Sequence, residues 1–144
     1  MATTVSAAEG ALVIDLAVDT SAVLALLLRE PSCEGVLERL CRASQPAVAA
    51  PTRTEILLVA LAKLGDVGLE RAREFLERQA ILTVAWDQEL ADASAQAFQR
   101  FGKGRHASGL NFGDCFSHVL AERLQVQLLF VGNDFSLTDL EVAW

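Results

Sequence analysis

The sequence has few of the residues that build disulfide-linked, zinc-binding or membrane proteins. Its 144 residues include three cysteines, two histidines, three prolines and no tyrosine. The cysteines form no CxxC pair, and a structural zinc site needs four grouped Cys or His ligands, which argues against zinc. The odd cysteine count also argues against a disulfide framework. The longest apolar runs, Ala22 to Leu28 and Ile56 to Ala62, have seven residues each, whereas a membrane span needs about 20.

Basic charge is also scarce. Twelve Lys and Arg stand against nineteen Asp and Glu, which gives a net charge of −7. Basic residues supply most of the non-specific affinity for nucleic acid, so this chain is not a passive nucleic-acid coat. The first basic residue is Arg29, and because a secretory signal begins with basic residues, we expect a cytoplasmic protein. Hydrophobic residues make up 52% of the chain and charged residues 22%, which excludes a disordered or fibrous protein.

Apolar spacing predicts one domain in which strands alternate with helices. The length fits a single domain, which we assign to residues 11–144 after a flexible tail at residues 1–10. Such alternation predicts a three-layer α/β/α sandwich with a central parallel sheet. The predicted strands are Ala11–Val18, Ala47–Ala50, Ile81–Ala85, Val126–Val131 and an edge strand at Glu141–Trp144. The predicted helices are Thr20–Glu30, Ser32–Ala43, Pro51–Leu64, Leu69–Gln79, Asp87–Phe101 and Asn111–Leu124, with a loop at Gly102–Gly109 and a short turn or helix at Ser136.

Four acidic residues lie near the carboxyl ends of the predicted strands, which is the edge where open α/β sheets bind ligands. Asp19 follows the first strand directly, and Glu55 lies five residues past the second. Asp114 is in the first turn of the helix that leads into the fourth strand, and Asp134 comes three residues after that strand. We therefore expect these four carboxylates at one edge of the sheet. Asp15 is a competing acid if the first strand ends earlier.

Each of these acids also has a purely structural interpretation. Asp19 could cap the first helix, and Asp134 could be an ordinary turn residue. The pairs Thr52–Glu55 and Asn111–Asp114 both have the spacing of a helix capping box. Four acids at one edge, however, repel one another strongly unless a cation or a proton intervenes. Their coincidence therefore favours a metal site.

The type of ligand indicates which metal would bind. Carboxylates without His or Cys suit hard cations, which means Mg²⁺ or Mn²⁺. Such a site is suited to displacement at phosphorus, because the metal lowers the pKa of bound water and offsets the charge that grows on the phosphoryl oxygens. The residues leave open whether one or two ions bind.

Four segments of the sequence carry a resemblance to a known family. In chain order they are VDTSAVLALLLREP, TRTEILLVAL, GKGRHASGLNFGDCFSHVLAERL and LLFVGNDFSLTD. They are similar to the PIN-domain ribonucleases, and among these to the VapC-type toxins of type II toxin–antitoxin pairs. The resemblance runs from about Val18 to Asp139, and the glycine-rich third segment is its most specific part. It implies a parallel sheet of strand order 3-2-1-4-5, Mg²⁺-dependent cleavage of RNA, a homodimer and a cognate antitoxin.

The resemblance also assigns roles to individual residues. Asp19, Glu55 and Asp114 match the three main acidic positions of the family, and Asp134 matches the fourth. The hydroxyls of Thr20 and Ser21 match a segment that supports the first acid. These matches imply that the four acids hold the metal and that a water molecule activated there hydrolyses the RNA phosphodiester.

Other residues near the predicted site carry open alternatives. Lys103, Arg105 and His106 lie in the glycine-rich loop before the acidic helix, where they either hold an RNA phosphate or form an ordinary solvated loop. Cys115 and His118 are three apart on one helix, a spacing that would suit a thiol nucleophile. No third group in the sequence is seen to orient the histidine, so we favour packing in the core.

The implied antitoxin would silence the enzyme by occupying its site. We expect a small protein with a DNA-binding head and a basic, amphipathic tail. Its apolar side chains would lie along a helix near Ile56 to Leu64, and an Arg would enter the acid cluster with bidentate geometry. A toxin–antitoxin hetero-oligomer would result.

Two other functions remain open from the residues alone. One is a metal-dependent phosphohydrolase or phospho-acceptor domain, which normally needs a lysine at the site, and Lys63 and Lys103 are the only lysines in the sequence. The other is a catalytically silent RNA-binding regulatory module, and the intact acids argue against it.

Overall fold

Within residues 13–140, which the computed structural model describes, four short apolar strands form a parallel sheet. The strands are β1 (Leu16–Val18), β2 (Pro46–Ala49), β3 (Leu82–Val84) and β4 (Gln127–Leu129). They pair in the order β3-β2-β1-β4. The inner strand β1 is buried along its whole length, as expected for a parallel sheet that helices cover on both faces.

Helices cover both faces of this sheet, which confirms the predicted three-layer α/β/α sandwich. The described helices are α1 (Thr20–Leu27), α2 (Cys33–Arg42), α3 (Ala50–Arg78), α4 (Gln88–Phe101), α5 (Phe112–Leu124) and a 3₁₀ helix at Asp134–Leu137. One core packs α4 and α5 against the sheet through Ala93, Ala97 and Val119. The other packs α1, α2 and α3 through residues such as Val23 and Ile56. No described helix has both the length and the apolar character needed to cross a membrane.

The predicted strand order is confirmed for the first four strands. The fifth strand, predicted at Glu141–Trp144, lies outside the described residues, as does the predicted tail at 1–10. The two helices predicted on either side of Gly65 are confirmed as the two halves of α3, although the second half begins directly after Gly65 rather than at Leu69. The backbone of Gly65 has φ 72° and ψ −163°, a conformation that only glycine adopts without strain.

The start of β1 excludes Asp15 from the carboxyl edge of the sheet. Its two carboxylate oxygens accept hydrogen bonds from the backbone N–H groups of Ser44 and Gln45, both at 2.8 Å. Asp15 therefore ties the amino end of β1 to the turn before β2. It lies at the opposite end of the strand from Asp19 and does not compete with it. Residues 16–18 of the predicted strand Ala11–Val18 form β1, Ile14 and Asp15 precede it, and residues 11 and 12 lie outside the described part of the chain.

Candidate active site

Asp19 lies at the point where β1 ends and α1 begins, and it is almost fully buried at 3% exposure. Its Oδ2 accepts hydrogen bonds from the backbone N–H (3.1 Å) and the hydroxyl (2.7 Å) of Ser21. Its Oδ1 accepts a 2.5 Å hydrogen bond from the hydroxyl of Ser117. Burial raises the pKa of Asp19, and these hydrogen bonds oppose the shift. Asp19 thus caps α1, as its structural interpretation predicted, and also presents a buried carboxylate at the sheet edge.

Glu55 does not form the capping box that its spacing suggested. Helix α3 begins at Ala50, five residues earlier, and its N-cap Ala49 offers no side-chain bond. The Glu55 carboxylate instead accepts a hydrogen bond from the hydroxyl of Thr20. Burial and then the negative charge of Asp19 raise the pKa of Glu55, while the Thr20 bond opposes the shift. Glu55 is therefore directed toward Asp19.

Asp114 forms the predicted capping box at the start of α5. Its Oδ2 accepts from the N–H of Asn111 at 3.0 Å, and its own N–H donates to the Asn111 side chain at 2.9 Å. It is 8% exposed. Burial, followed by the negative charges of Asp19 and Asp134, raises the pKa of Asp114 to about 7. Asp114 therefore caps the helix, as its structural interpretation predicted, and its buried carboxylate also interacts with the charges of Asp19 and Asp134.

Asp134 begins the 3₁₀ helix that follows β4, and its side chain is exposed. A hydrogen bond between the carboxyl groups of Asp134 and Asp114 contributes to the raised pKa of Asp114. The structure thus brings Asp134 to Asp114, and both Glu55 and Asp114 within electrostatic reach of Asp19. The four acids that the sequence separates by up to 115 positions lie at the same edge of the sheet.

The donor set at this edge fits a divalent cation. It consists of carboxylates alone. Burial raises the pKa values of Glu55 and Asp114, and the negative charges of neighbouring acids raise them further. A bound cation relieves that repulsion and keeps the carboxylates ionised. Oxygen ligands alone favour Mg²⁺ or Mn²⁺ over softer metals. Asp19, Glu55, Asp114 and Asp134 are the residues that could hold it.

Comparison with known proteins identifies the family. The model of the PIN domain matches residues 16–140. The chain belongs to the PIN-domain family. Ribonuclease VapC36 of Mycobacterium tuberculosis is 42% identical over 125 residues, which cover 86% of this chain and 90% of that protein. Ribonuclease VapC of Mycolicibacterium smegmatis is 37% identical over 124 residues, covering 86% of this chain and 96% of that protein. The resemblance to VapC-type PIN-domain ribonucleases is confirmed.

Solved structures share this PIN-domain fold. The crystal structure of VapC20 from Mycobacterium tuberculosis, a toxin that cleaves the sarcin-ricin loop, has a TM-score of 0.72 at 15% identity and covers 88% of this chain and 97% of that one. A toxin–antitoxin complex from Klebsiella pneumoniae has a TM-score of 0.66 at 18% identity, covering 87% of this chain and 93% of that chain. At these identities the likeness establishes the fold.

Two residues beside the acids were missed by reasoning from sequence. Ser117 donates to Asp19. Its position three residues after Asp114, on the same face of the helix, was the signal in the sequence that could have revealed it. Gly113 was missed because a glycine offers no chemistry. A Cβ atom at Gly113 would overlap both carboxylate oxygens of Glu55, so the absence of a side chain makes room for that acid.

The predicted supporting hydroxyls both contact the acids. Thr20 bonds to Glu55, and Ser21 bonds to Asp19. The hydroxyl of Ser21 also accepts a 2.9 Å hydrogen bond from the N–H of Val131, just past β4. Ser21 therefore links Asp19 to the neighbouring strand end, which fixes the first acid relative to the segment that carries the fourth.

The basic loop lies just before the helix that carries Asp114. Lys103, Arg105 and His106 are all exposed. The ring of His106 accepts from the N–H of Ser108 at 3.1 Å and packs edge-on against Phe101 with centroids 5.1 Å apart. Within residues 13–140, Lys103 and Arg105 make no side-chain ion pair. The loop thus offers two exposed cations that have no ion-pair partner in the described part of the chain.

Cys115 and His118 do not form a catalytic pair. The thiol of Cys115 donates to the carbonyl of Asn111 at 3.2 Å, and burial raises its pKa to about 11. Nε2 of His118 instead bonds to Asp139 at 3.1 Å. The expectation that no third group orients His118 was therefore wrong, because Asp139 does so from outside the helix. The preferred interpretation, that Cys115 packs in the core, agrees with its burial.

Proposed function

We propose that this protein is a metal-dependent endoribonuclease that acts as the toxin of a toxin–antitoxin pair. The single observation that carries the proposal is the edge of four carboxylates at which the pKa of Asp114 is raised to about 7. Such a set is unfavourable without a cation and suits Mg²⁺ or Mn²⁺. The names of its relatives supply the substrate, because proteins 37–42% identical to it are called ribonucleases. We infer action in the cytoplasm, where cellular RNA is found.

The residues of the chain prepare this site before any substrate arrives. Asp19 is held by Ser21 and Ser117, and Glu55 by Thr20, so these carboxylates have fixed orientations. A divalent cation bound there would lower the pKa of a water molecule and offset charge on the phosphoryl oxygens. Fixed ligands reduce the reorganisation that the reaction requires.

A phospho-acceptor function is less well supported. Both oxygens of Asp19 are engaged by hydroxyls of Ser21 and Ser117, which reduces their nucleophilicity. Lys63 is exposed on α3, and Lys103 is exposed in the basic loop. Among the described residues neither lysine contacts the acid cluster, so the phosphate partner that this class needs is not provided.

The decisive experiment compares RNA cleavage by single-residue variants with and without a divalent cation. We expect activity to require Mg²⁺ or Mn²⁺. Asp19→Asn, Glu55→Gln and Asp114→Asn should each lower activity at least about 10²-fold, because each removes a charged ligand. Asp92→Asn, an equal charge change at an exposed position of α4, is the matched control. Induced expression with mapping of cellular RNA ends would identify the target.

Full cleavage in excess chelator would contradict the proposal. So would full cleavage by a folded Asp114→Asn variant. Activity on small phosphate esters without activity on RNA would favour the phosphohydrolase alternative. Tight RNA binding without cleavage would favour the silent regulatory module.

We further propose that Lys103 and Arg105 bind the RNA backbone. They are exposed cations in the loop that leads directly to Asn111 and Asp114. Replacing both with glutamine should weaken RNA binding and flatten its dependence on salt, because each phosphate contact releases counterions. Cation affinity should not change. If the dependence of RNA affinity on salt concentration is unchanged, the segment is an ordinary solvated loop and does not bind RNA.

We propose that a basic antitoxin tail covers the site and the exposed face of α3. Leu58, Leu61 and Leu64 are 59%, 36% and 40% exposed, whereas Ile56 is fully buried. The docking stretch is therefore Leu58 to Leu64 rather than the predicted Ile56 to Leu64. An Arg from the tail would pair with the carboxylates and compete with the cation. We expect the adjacent reading frame to encode this antitoxin, and its co-expression should abolish toxicity. A purified complex that still cleaves RNA fully would contradict inhibition by occupation of the site.

We also propose that the protein is a homodimer through an apolar groove between α4 and α5. The groove has a volume of about 650 Å³, and its lining includes Phe98, Phe112 and Phe116. Phe112 is 79% exposed, and exposed aromatic residues of this kind are typical of protein interfaces. Phe98→Glu should convert a dimer into a monomer in light scattering. A wild-type protein that is monomeric at micromolar concentration would contradict the assignment.

A further inference from the structure

One carboxylate joins the segment after β4 to two helices. Oδ1 of Asp139 lies 3.1 Å from Nε2 of His118 on α5, and Oδ2 lies 3.1 Å from Nη2 of Arg100 on α4. Glu122 of α5 completes the cluster, with its Oε2 3.9 Å from Nη1 of Arg100. Asp139 comes two residues after the 3₁₀ helix that begins at Asp134. These contacts of Asp139 with His118 and Arg100, which we call the clamp, hold the end of that segment against both helices.

The cluster is an ion-pair network rather than a second metal site. Ligand atoms of His118, Glu122 and Asp139 lie within 4.8 Å of one another, a spacing that a metal ion could also use. The Arg100 guanidinium, however, already contacts both carboxylates. The chain therefore supplies the positive charge that this pair of acids attracts.

His118 provides the fixed end of the clamp. It is 1% exposed, and its ring packs against Phe101 with centroids 5.2 Å apart. Within residues 13–140 its Nδ1 has no hydrogen-bond partner. The bond to Asp139 is therefore the one that satisfies this buried ring, and its loss would leave both nitrogens without a partner. Arg100 is also fixed, since it stacks 4.7 Å above the ring of Phe101.

The segment between Asp134 and Asp139 is held at both ends. Phe135 is buried and packs against Phe130 with centroids 5.0 Å apart. The hydroxyl of Thr138 donates to the carbonyl of Phe135 at 2.7 Å, which closes the turn. Asp134 itself is exposed and precedes Phe135 directly. Its position beside Asp114 therefore depends on how the rest of this segment is anchored.

We propose that His118 and Arg100, acting through Asp139, are positioning residues that hold the Asp134 carboxylate beside that of Asp114. The inference rests on the proposed function, because it treats Asp134 as part of the cation site. Residues that orient a ligand from behind typically change metal affinity 10–100-fold when they are replaced. The clamp would give an exposed acid the fixed orientation that the buried acids obtain from their own hydrogen bonds.

The test is Mn²⁺ affinity of the full chain, measured by calorimetry. Asp139→Asn should weaken Mn²⁺ binding about tenfold, and Asp134→Asn should weaken it by at least as much. The double variant should bind no more weakly than Asp134→Asn alone, since both changes remove the same ligand. Asp92→Asn is the matched control. It makes the same change of charge at an exposed position of α4 outside the cluster, so it should bind Mn²⁺ as the wild type does.

The outcomes distinguish a failure of the positioning role from a failure of the proposed cation site. Wild-type affinity in Asp139→Asn, or fully additive losses in the double variant, would overturn the positioning role. Wild-type affinity in Asp134→Asn would overturn it too, because Asp134 would not be a ligand. A wild-type protein that binds no Mn²⁺ would instead contradict the cation site itself. If Asp139→Asn is unfolded at 25 °C, Arg100→Met removes a single contact of the clamp and permits the same comparison.

Discussion

Replacing Asp114 by asparagine should stabilise the cation-free protein at pH 8. Burial and the charges of Asp19 and Asp134 raise the pKa of Asp114 from 3.8 to about 7. That difference corresponds to at most about 4 kcal/mol of destabilisation when the folded carboxylate ionises. Because Asp114 lies beside the exposed Asp134, where solvent screens the repulsion between the carboxylates, we expect about 2 kcal/mol. Asparagine keeps an oxygen that can accept the capping bond from Asn111.

The stability gain of Asp114→Asn must depend on pH, and the raised pKa of Asp114 fixes the direction of that dependence. From about pH 4 to pH 7, folded Asp114 holds a proton that the unfolded chain has released. The free energy of unfolding of the wild type therefore falls as pH rises through this range, and the loss is complete above the folded pKa of about 7. Asparagine does not titrate, so the advantage of the variant is full at pH 8 and less than half as large near pH 4.5.

Urea unfolding in excess chelator at the two pH values measures this difference. An advantage of about 2 kcal/mol should also raise the melting temperature by roughly 4–8 °C. Asp92→Asn, on the exposed surface of α4, should show no such gain. Adding Mn²⁺ should reverse the order, because the cation stabilises the wild type preferentially. A variant less stable than wild type at pH 8, or equally favoured at both pH values, would refute the reasoning.

Three further predictions concern the surroundings of the acids. Gly113→Ala should displace the Glu55 carboxylate and lower RNA cleavage at least about tenfold with an unchanged circular dichroism spectrum, and wild-type activity would show that Glu55 can move aside. Ser117→Ala removes a bond that lowers the pKa of Asp19, so Mn²⁺ affinity should fall about tenfold, most at low pH, and calorimetry at two pH values tests this. Cys115→Ser should cleave RNA as the wild type does, because a thiol with a pKa of about 11 is protonated at neutral pH, and loss of cleavage with the fold intact would revive the thiol nucleophile.

Local patterns in the sequence were enough to predict the layered fold and the edge where the acids meet. A short apolar strand that ends at an acid needs no tertiary information to be recognised, and Asp19 is such a residue. Parallel strands place their carboxyl ends at one edge, so the positions of Glu55, Asp114 and Asp134 relative to the strands implied that they meet. The break at Gly65 was equally visible, because a glycine between two apolar helical repeats signals a change of direction.

The sequence by itself therefore determined the order of the elements and the chemical type of the site, since both depend on spacing along the chain. Only the tertiary structure decided which partner each carboxylate has. Glu55 bonds to Thr20, 35 residues away, and Asp19 to Ser117, 98 residues away. The capping-box spacing at Thr52 was misleading because helix α3 starts at Ala50, with Pro51 in its first turn and no side-chain cap. Burial and proximity, which raise the pKa of Asp114, exist only once distant segments are packed together.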